Sequence, residues 1–425
     1  MMDSTIESPA SLSTLFLDQP PSCLAFCPTA PDHVLISTYL LIENPAAAEN
    51  STPESVRTGS LQLFRFDPHL CHLSPVQKLY LDSAVFDFQF SPRDPTLFAV
   101  VLSTPVVSLY RIEGPSGEPN ASVKIVFVRS INVHENASQL ALFLAWIPSG
   151  GSSRGENDGQ EIKDGFAVSF SDGRVSVLCT DAGIESTNEI AISEIRFTGY
   201  PIEVWYVAFY LKTVEHKQIP VLFAGDDMQH VRGVTLEEIE CAGNVSSRAW
   251  QLDDRGRCHD AGVTAIVPLF ADEVGTILLT GSYDEHIRVY HFKPRSEVLA
   301  SKNIGGGVWR LRLIKIELLG DADKSTPSQW QLGYKRIRSY LVLASCMHGG
   351  ARLLRVNHSV QREDDEGQWE IDVTTEFKEH QSMNYASDFY KGRKGGFETD
   401  TQDRTVLCVT SSFYDKRVCV WKAST

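Results

Sequence analysis

Two stretches decide the fold. The first runs GVTAIVPLF (262–270), TILLTGSYDEH (276–286) and IRVYHF (287–292), and the second is TVLCVTSSFYDKRVCVW (405–421). In each, an apolar run rich in Val, Leu and Ile ends in Ser or Thr, a short turn carrying an aspartate follows, and a further run ends in an aromatic ring. That is the grammar of strand, turn and strand. Laid over each other on their turns, Ser282 meets Phe413, Tyr283 meets Tyr414, Asp284 meets Asp415 and Tyr290 meets Trp421. The same ruler finds Asp227 in LFAGDDMQHVRGV, Asp172 in FAVSFSDGRVSVL and a degenerate copy, STPVVSLY, around Thr104. One unit is repeated with drift, and no run of 12 or more residues shows a helical apolar face.

The units number seven: Ser22 to Phe66, Ala84 to Ile112, Leu140 to Cys179, Val204 to Thr235, Gly262 to Phe292, Gly307 to Asn357 and Tyr385 to Trp421. They resemble WD repeats, which build β-propellers of four-stranded blades. The expected fold is all-β, a seven-bladed propeller. The last unit ends close to the C-terminus, so an N-terminal strand within Ser11 to Asp18 is expected to close the ring. At roughly 150 residues per domain, 425 residues allow three domains, but the repeats reduce this to a single domain over 1–425. The residues in excess of seven blades fall in polar inserts at 43–59, 114–122, 150–164, 240–256, 320–335, 361–370 and 391–404, expected as loops.

Composition narrows the function. Lys plus Arg is 39 against 54 for Asp plus Glu, a net charge of −15, which opposes binding to a phosphate backbone and favours a cationic substrate or a basic partner. The nine cysteines are odd in number with no CxxC pair, as expected for reduced structural thiols in a cytosolic or nuclear compartment. The N-terminus has neither the basic nor the apolar region of a signal peptide, and no apolar run is long enough to cross a bilayer. A monomer acting in the cytoplasm, without nucleic acid, membrane, cofactor or metal, is the expectation.

No GxSxG elbow, HExxH or Walker loop is present, so any catalysis must assemble on one face of the ring. His259, in RCHDAG, stands 25 residues before Asp284. With Ser282 and Tyr290 it fits the buried hydrogen-bond network of a WD blade, which His380, Asp415 and Trp421 would repeat in the seventh unit. The rival reading is a hydrolytic group of Ser282, His259 and Asp284, which requires the Ser282 hydroxyl to face solvent. His348, in SCMHGGARL, replaces the turn aspartate. It is either a solvated turn residue or a general base, since histidine titrates near neutrality; Cys346 beside it reads as core. Gly305, Gly306 and Gly307 imply a tight backbone path and are candidate oxyanion donors. Trp309 and Arg310 follow them. With Glu203, Trp205, Tyr206, Tyr385 and Asp388, which also open first strands, they would offer aromatic faces and carboxylates at one channel mouth, a combination suited to a quaternary ammonium group.

Several of these local sequences together resemble the diphthine methylesterase family of WD-repeat proteins, in the diphthamide pathway. They are PPSCLAFCP (20–28) with STYL (37–40), EVWYVAF (203–209) with AGDD (224–227), HDAGVTAI (259–266) with TGSYDEHI (280–287), GGGVWR (305–310), CMHGG (346–350), and EHQSMNYASDF with SSFYD (411–415). The resemblance implies hydrolysis of the methyl ester of methylated diphthine, a modified histidine of translation elongation factor 2, to give diphthine and methanol. That substrate carries a trimethylammonium group, in agreement with the acidic balance. The resemblance assigns no catalytic residue. Departures from the pattern are Phe389 and Tyr290 where relatives carry Trp, and Gly233 where a repeat places an aromatic ring. On position alone, His348 or His259 would be the base.

A propeller also suits a non-catalytic scaffold for a protein partner, in trafficking or a ubiquitin-ligase assembly. An enzyme should show a concave pocket holding His348, Trp309 and a carboxylate; a scaffold should show a flatter apolar patch. A metal-dependent hydrolase using His259 and His348 lacks paired histidine spacing.

Overall fold

The structure, a computed structural model, describes residues 6–43, 55–114, 122–150, 162–186, 190–196, 201–214, 217–237, 258–319, 336–360, 367–392 and 405–425. They form seven small antiparallel sheets, the blades of a β-propeller. The innermost strands, in blade order, are Pro21–Cys27, Val85–Phe90, Ala141–Trp146, Val204–Val214, Val263–Ala271, Arg310–Leu319 and Asn384–Phe389.

The strand chemistry follows radial position. The second and third strands lie between neighbouring blades and are covered on both faces, so Thr276–Ser282 and Arg174–Thr180 are buried at every residue. Such strands are rich in Val, Leu and Ile, with small polar residues between them. The outermost strand of blade 5, Glu297–Asn303, is mostly exposed and reads EVLASKN. Adjacent blades share their cores. Leu279, Ile287 and Val289 of blade 5 pack with Leu311, Val342 and Leu354 of blade 6, while Leu343 and Leu353 of blade 6 pack with Phe389, Cys408 and Trp421 of blade 7. Each such side chain contributes about 1.5–3 kcal/mol when covered, which one blade alone cannot supply.

Ring closure follows the expectation. Ser13–Phe16 pairs antiparallel with the last strand, Arg417–Ser424, with Ser13 opposite Val420 and Phe16 opposite Arg417. Blade 1 is larger than the repeat requires, because Leu40–Glu43 pairs with the start of the long strand Ser55–Asp67. Ser55–Gly59 and 368–370, within stretches expected as loops, therefore open strands. The inserts 240–256 and 320–335 lie outside the described residues, as does most of 43–59, 114–122, 150–164, 361–370 and 391–404. Blade 4 has three described strands. All eight cysteines among the described residues are free, and seven are buried; burial pushes the Cys346 thiol up to about 12. No helix among the described residues is long and apolar enough to cross a membrane.

Candidate functional site

First strands begin at one end of the channel, and turns between second and third strands lie at the same end. Trp205 is the second residue of Val204–Val214, Tyr385 the second of Asn384–Phe389, Trp309 immediately precedes Arg310–Leu319, and Tyr283 follows Thr276–Ser282. Blades 4, 5, 6 and 7 thus bring four half-buried rings to one mouth. Trp205 meets Tyr283 and Trp309, each at 5.9 Å between centroids, Tyr283 meets Trp309 at 6.1 Å, and Trp309 meets Tyr385 at 5.1 Å. The arc runs on through Phe413, 5.5 Å from Tyr385, to Tyr39 and Phe86 of blades 1 and 2.

A carboxylate is fixed beside these rings. Asp227 Oδ1 accepts the Trp205 indole N–H at 2.8 Å, and the Asp227 N–H donates to Glu203 O at 3.0 Å. Gly262 makes room for this approach, since a Cβ there would lie 2.7 Å from Asp227 Oδ1 and 3.1 Å from the Tyr283 ring. Burial, followed by the charges of Asp227 and Glu203, pushes the Tyr283 phenol well above its ordinary range, so the ring stays neutral. Aromatic faces with a fixed negative charge at their edge are the groups that attract a cation, and we call this cluster the cage.

Arg310 forms the floor of this cage. Its Nε and Nη2 donate to Asp87 Oδ2 across the channel, at 3.1 and 3.0 Å, and its Nη1 to Thr264 O and Trp309 O. The guanidinium lies 4.6 Å from the ring centroids of Phe143 and Trp309, and 5.4 Å from that of Tyr206. With its donors engaged, Arg310 braces the rings. Asp388, expected at this mouth, is not with them. It accepts the Phe26 N–H at 2.8 Å and lines a cavity in the lower channel. It stands three positions after Tyr385, an odd interval that reverses the pleat face and carries it about 10 Å further in.

His348 is exposed in the turn of blade 6, with Nε2 3.3 Å from Glu285 Oε1. It lines two surface clefts, one with Gly305, Arg352 and Glu376, the other with His380, Tyr414 and Asp415. Trp309 lines neither, so the expected single pocket holding both is divided. The glycines explain the connection between the two parts. A Cβ on Gly306 would meet Cys346 O at 2.4 Å and the Gly349 backbone at 2.8 Å, and one on Gly307 would meet Met347 Sδ at 2.9 Å. The His348 turn therefore packs directly on the segment leading to Trp309. Gly306 and Gly307 are buried and closely packed, whereas Gly305 has open space around it and takes a left-handed conformation (φ 74°), with its N–H donated to Asn303 Oδ1 at 2.9 Å.

His259 belongs to the interior of blade 5. Its Nδ1 lies 3.0 Å from Asp284 Oδ2, and its Nε2 2.9 Å from Thr280 Oγ1. Ser282 is fully buried and donates to Ala261 O at 3.0 Å while accepting the Asp284 N–H. The solvent-facing hydroxyl required for a hydrolytic Ser/His/Asp group is not found, and Thr280 is the hydroxyl at His259. Burial alone would raise the Asp284 carboxyl, but His259 and Arg288 hold it far below the ordinary carboxylate range; burial lowers His259, with Asp284 opposing. In blade 7, His380 Nε2 lies 2.8 Å from Thr410 Oγ1, which also accepts the Trp421 indole N–H at 3.2 Å.

No family model matches the chain. Among curated proteins it is 26% identical to diphthine methyltransferase of Schizosaccharomyces pombe, over 96% of this chain and 97% of that protein. It is 25% identical to diphthine methyltransferase of Saccharomyces cerevisiae, over 99% of this chain and 100% of that one. The chain is similar along its whole length to the diphthine methyltransferases. The mouse diphthine methyltransferase is 25% identical over 81% of this chain, which covers 61% of that longer protein. Among solved structures, Chaetomium thermophilum Sqt1 bound to the N-terminus of the ribosomal protein L10 superposes with a TM-score of 0.52 at 13% identity, covering 99% of this chain and 100% of that one. A chain of the mitotic checkpoint complex gives 0.50 at 11% identity, covering 100% and 97%. These two likenesses show the propeller fold.

Of the residues expected at this mouth, Trp205, Trp309 and Tyr385 are brought together, and Tyr283, Asp227, Phe413, Tyr39 and Phe86, which were not expected there, join them. The signal available was positional, because turns after second strands share the mouth with the starts of first strands. Among the described residues no group of three or more His, Cys, Asp or Glu side chains is placed to hold a metal ion.

Proposed function

We propose that the protein, a single propeller domain acting in the cytoplasm, hydrolyses the methyl ester of methylated diphthine on translation elongation factor 2 in diphthamide biosynthesis. The observation that carries the reading is the cage of Trp205, Tyr283, Trp309 and Tyr385 with Asp227 fixed at its edge. A trimethylammonium group donates no hydrogen bond and is recognised by aromatic faces and a nearby charge, worth about 0.5–2 kcal/mol for each well-placed ring. The length-wide similarity to diphthine methyltransferases supports the same substrate family.

His348 is the base in this proposal: it lines clefts apart from Trp309, but its turn packs on the segment leading to Trp309, so the ester of a side chain held by the rings must reach it across that contact. Glu285 lies 3.3 Å from Nε2, and on this reading Nδ1 takes a proton from water. The water oxygen attacks the ester carbonyl carbon, and the tetrahedral intermediate expels the methoxy group, which leaves as methanol with the proton returned from Nδ1. The carboxylate of diphthine remains.

The test incubates the purified protein with elongation factor 2 carrying methylated diphthine. Loss of one methylene in mass, with release of methanol, is the expected result. Folded protein that leaves the mass unchanged overturns the reading. A gain of a methyl group from S-adenosylmethionine on unmethylated factor would favour the transfer reaction in the relatives' name.

A further inference from the structure

The Arg310–Asp87 bridge divides the channel, and the lower part is a separate cavity of about 480 Å³, within the range of small-molecule sites. Its walls are largely apolar, with Phe26, Phe90, Phe143, Tyr206 and Phe389 among them. Two opposite charges face this space without direct contact, the charge of Asp388 being the largest that supports Arg312. Arg312 lies two residues beyond Arg310 on the innermost strand of blade 6, so it points the same way into the channel. Unlike Arg310, it makes no hydrogen bond and no ion pair among the described residues. Asp388, from blade 7, accepts the Phe26 N–H through Oδ2, and its Oδ1 has no hydrogen-bond partner among the described residues. Lys391 lines the cavity too, its ammonium 5.2 Å from the Phe389 ring.

The guanidinium of Arg312 has no hydrogen-bond acceptor among the described residues and the Asp388 carboxylate uses only one of its two oxygens, so donors and an acceptor remain open on this mostly hydrocarbon wall. A ligand bearing both charges would complete them at once. We propose that the lower channel binds a small zwitterion of the α-amino acid class, with its carboxylate on Arg312, its ammonium on Asp388 Oδ1 and its apolar side chain against the rings. Neither Arg312 nor Asp388 touches the cage rings; the two spaces meet only at Phe143 and Tyr206, which also lie against Arg310.

Isothermal titration of the full chain with L-phenylalanine tests the site, with 3-phenylpropionate, which lacks the ammonium, and 2-phenylethylamine, which lacks the carboxylate, as comparators. The expected result is saturable binding of L-phenylalanine, weakened at least about tenfold by Arg312→Met and by Asp388→Asn, and comparably weaker for both comparators. No saturable heat at millimolar L-phenylalanine overturns the proposal. So does binding that both variants leave unchanged, or 3-phenylpropionate binding as tightly as L-phenylalanine. Should Arg312→Met fail to fold, Asp388→Asn and the two comparators decide the question in the wild-type frame. The measurement needs no turnover, so its failure leaves the esterase reading untouched.

Discussion

Two neighbouring residues of one turn serve two histidines in opposite ways. Asp284 turns inward to His259, whose side chain is 0% exposed, and Glu285 turns outward to His348, whose side chain is 58% exposed. Both pairs are a histidine with a carboxylate at hydrogen-bonding distance, the arrangement sought as a catalytic signature. Burial separates them. The inward pair has every polar atom committed to holding strands and loop of blade 5 together, while the outward pair keeps one imidazole nitrogen and its surroundings open to a substrate.

The largest expected effect breaks this contrast on the outward side. His348→Ala should lower ester turnover about 10²- to 10⁴-fold, the usual contribution of a general base, and leave urea unfolding unchanged because the side chain buries little. His259→Ala should do the reverse. It leaves Asp284 and Arg288 in a buried network missing its central member, at a cost of about 3 kcal/mol, read as a lower urea midpoint, with turnover per folded molecule preserved. Unchanged turnover in folded His348→Ala would return that histidine to the solvated turn residue it also resembles in sequence.

Acid sharpens the same contrast through the buried histidine of blade 7. Burial lowers His380 from 6.5 to about 4, with Asp415 opposing. Between these values the unfolded chain binds a proton on this residue that the folded chain refuses. Stability is therefore complete above pH 6.5 and falls as pH drops towards 4, by roughly 2–3 kcal/mol from this group; His259, shifted the same way, adds to the fall. Denaturation midpoints from pH 7 to 4 should show that slope, and His380→Gln should flatten it.

The ring was legible because blades 3 to 7 repeat a turn with an aspartate or histidine, and because strands covered on both faces are rich in Val, Leu and Ile. Even closure could be read, since Ser13–Phe16 supplies the strand that a late-starting seventh unit lacks. The site was less legible because it is assembled across blades. Trp205 and Trp309 lie over a hundred positions apart yet touch at 5.9 Å, and no local spacing encodes that approach. Asp388 failed for a different reason. Its position in a first strand was read correctly, but depth along that strand was not, and depth decides which end of the channel a side chain serves.

The smallest expected effect compares blades 5 and 7 at a single ring. Tyr290 stands opposite Leu278 and Trp421 opposite Cys408 in the strand registers, so the two rings occupy equivalent places, each two residues from the threonine that touches its histidine. Trp421 carries its N–H on the side of the ring and donates it to Thr410 at 3.2 Å. Tyr290 carries its hydroxyl at the far end, where it is buried without a partner, and nothing from this ring reaches Thr280. Tyr290→Trp should supply the missing bond and remove the orphaned hydroxyl, raising stability by about 1 kcal/mol, provided the larger ring fits among Phe223, Leu278 and Phe292. Trp421→Tyr should cost at least as much, because the stacked contact with Phe377, 5.1 Å away and inclined by only 3°, changes as well. Equal and unaltered midpoints for both variants would mean that the ring end of the network is not what holds either blade.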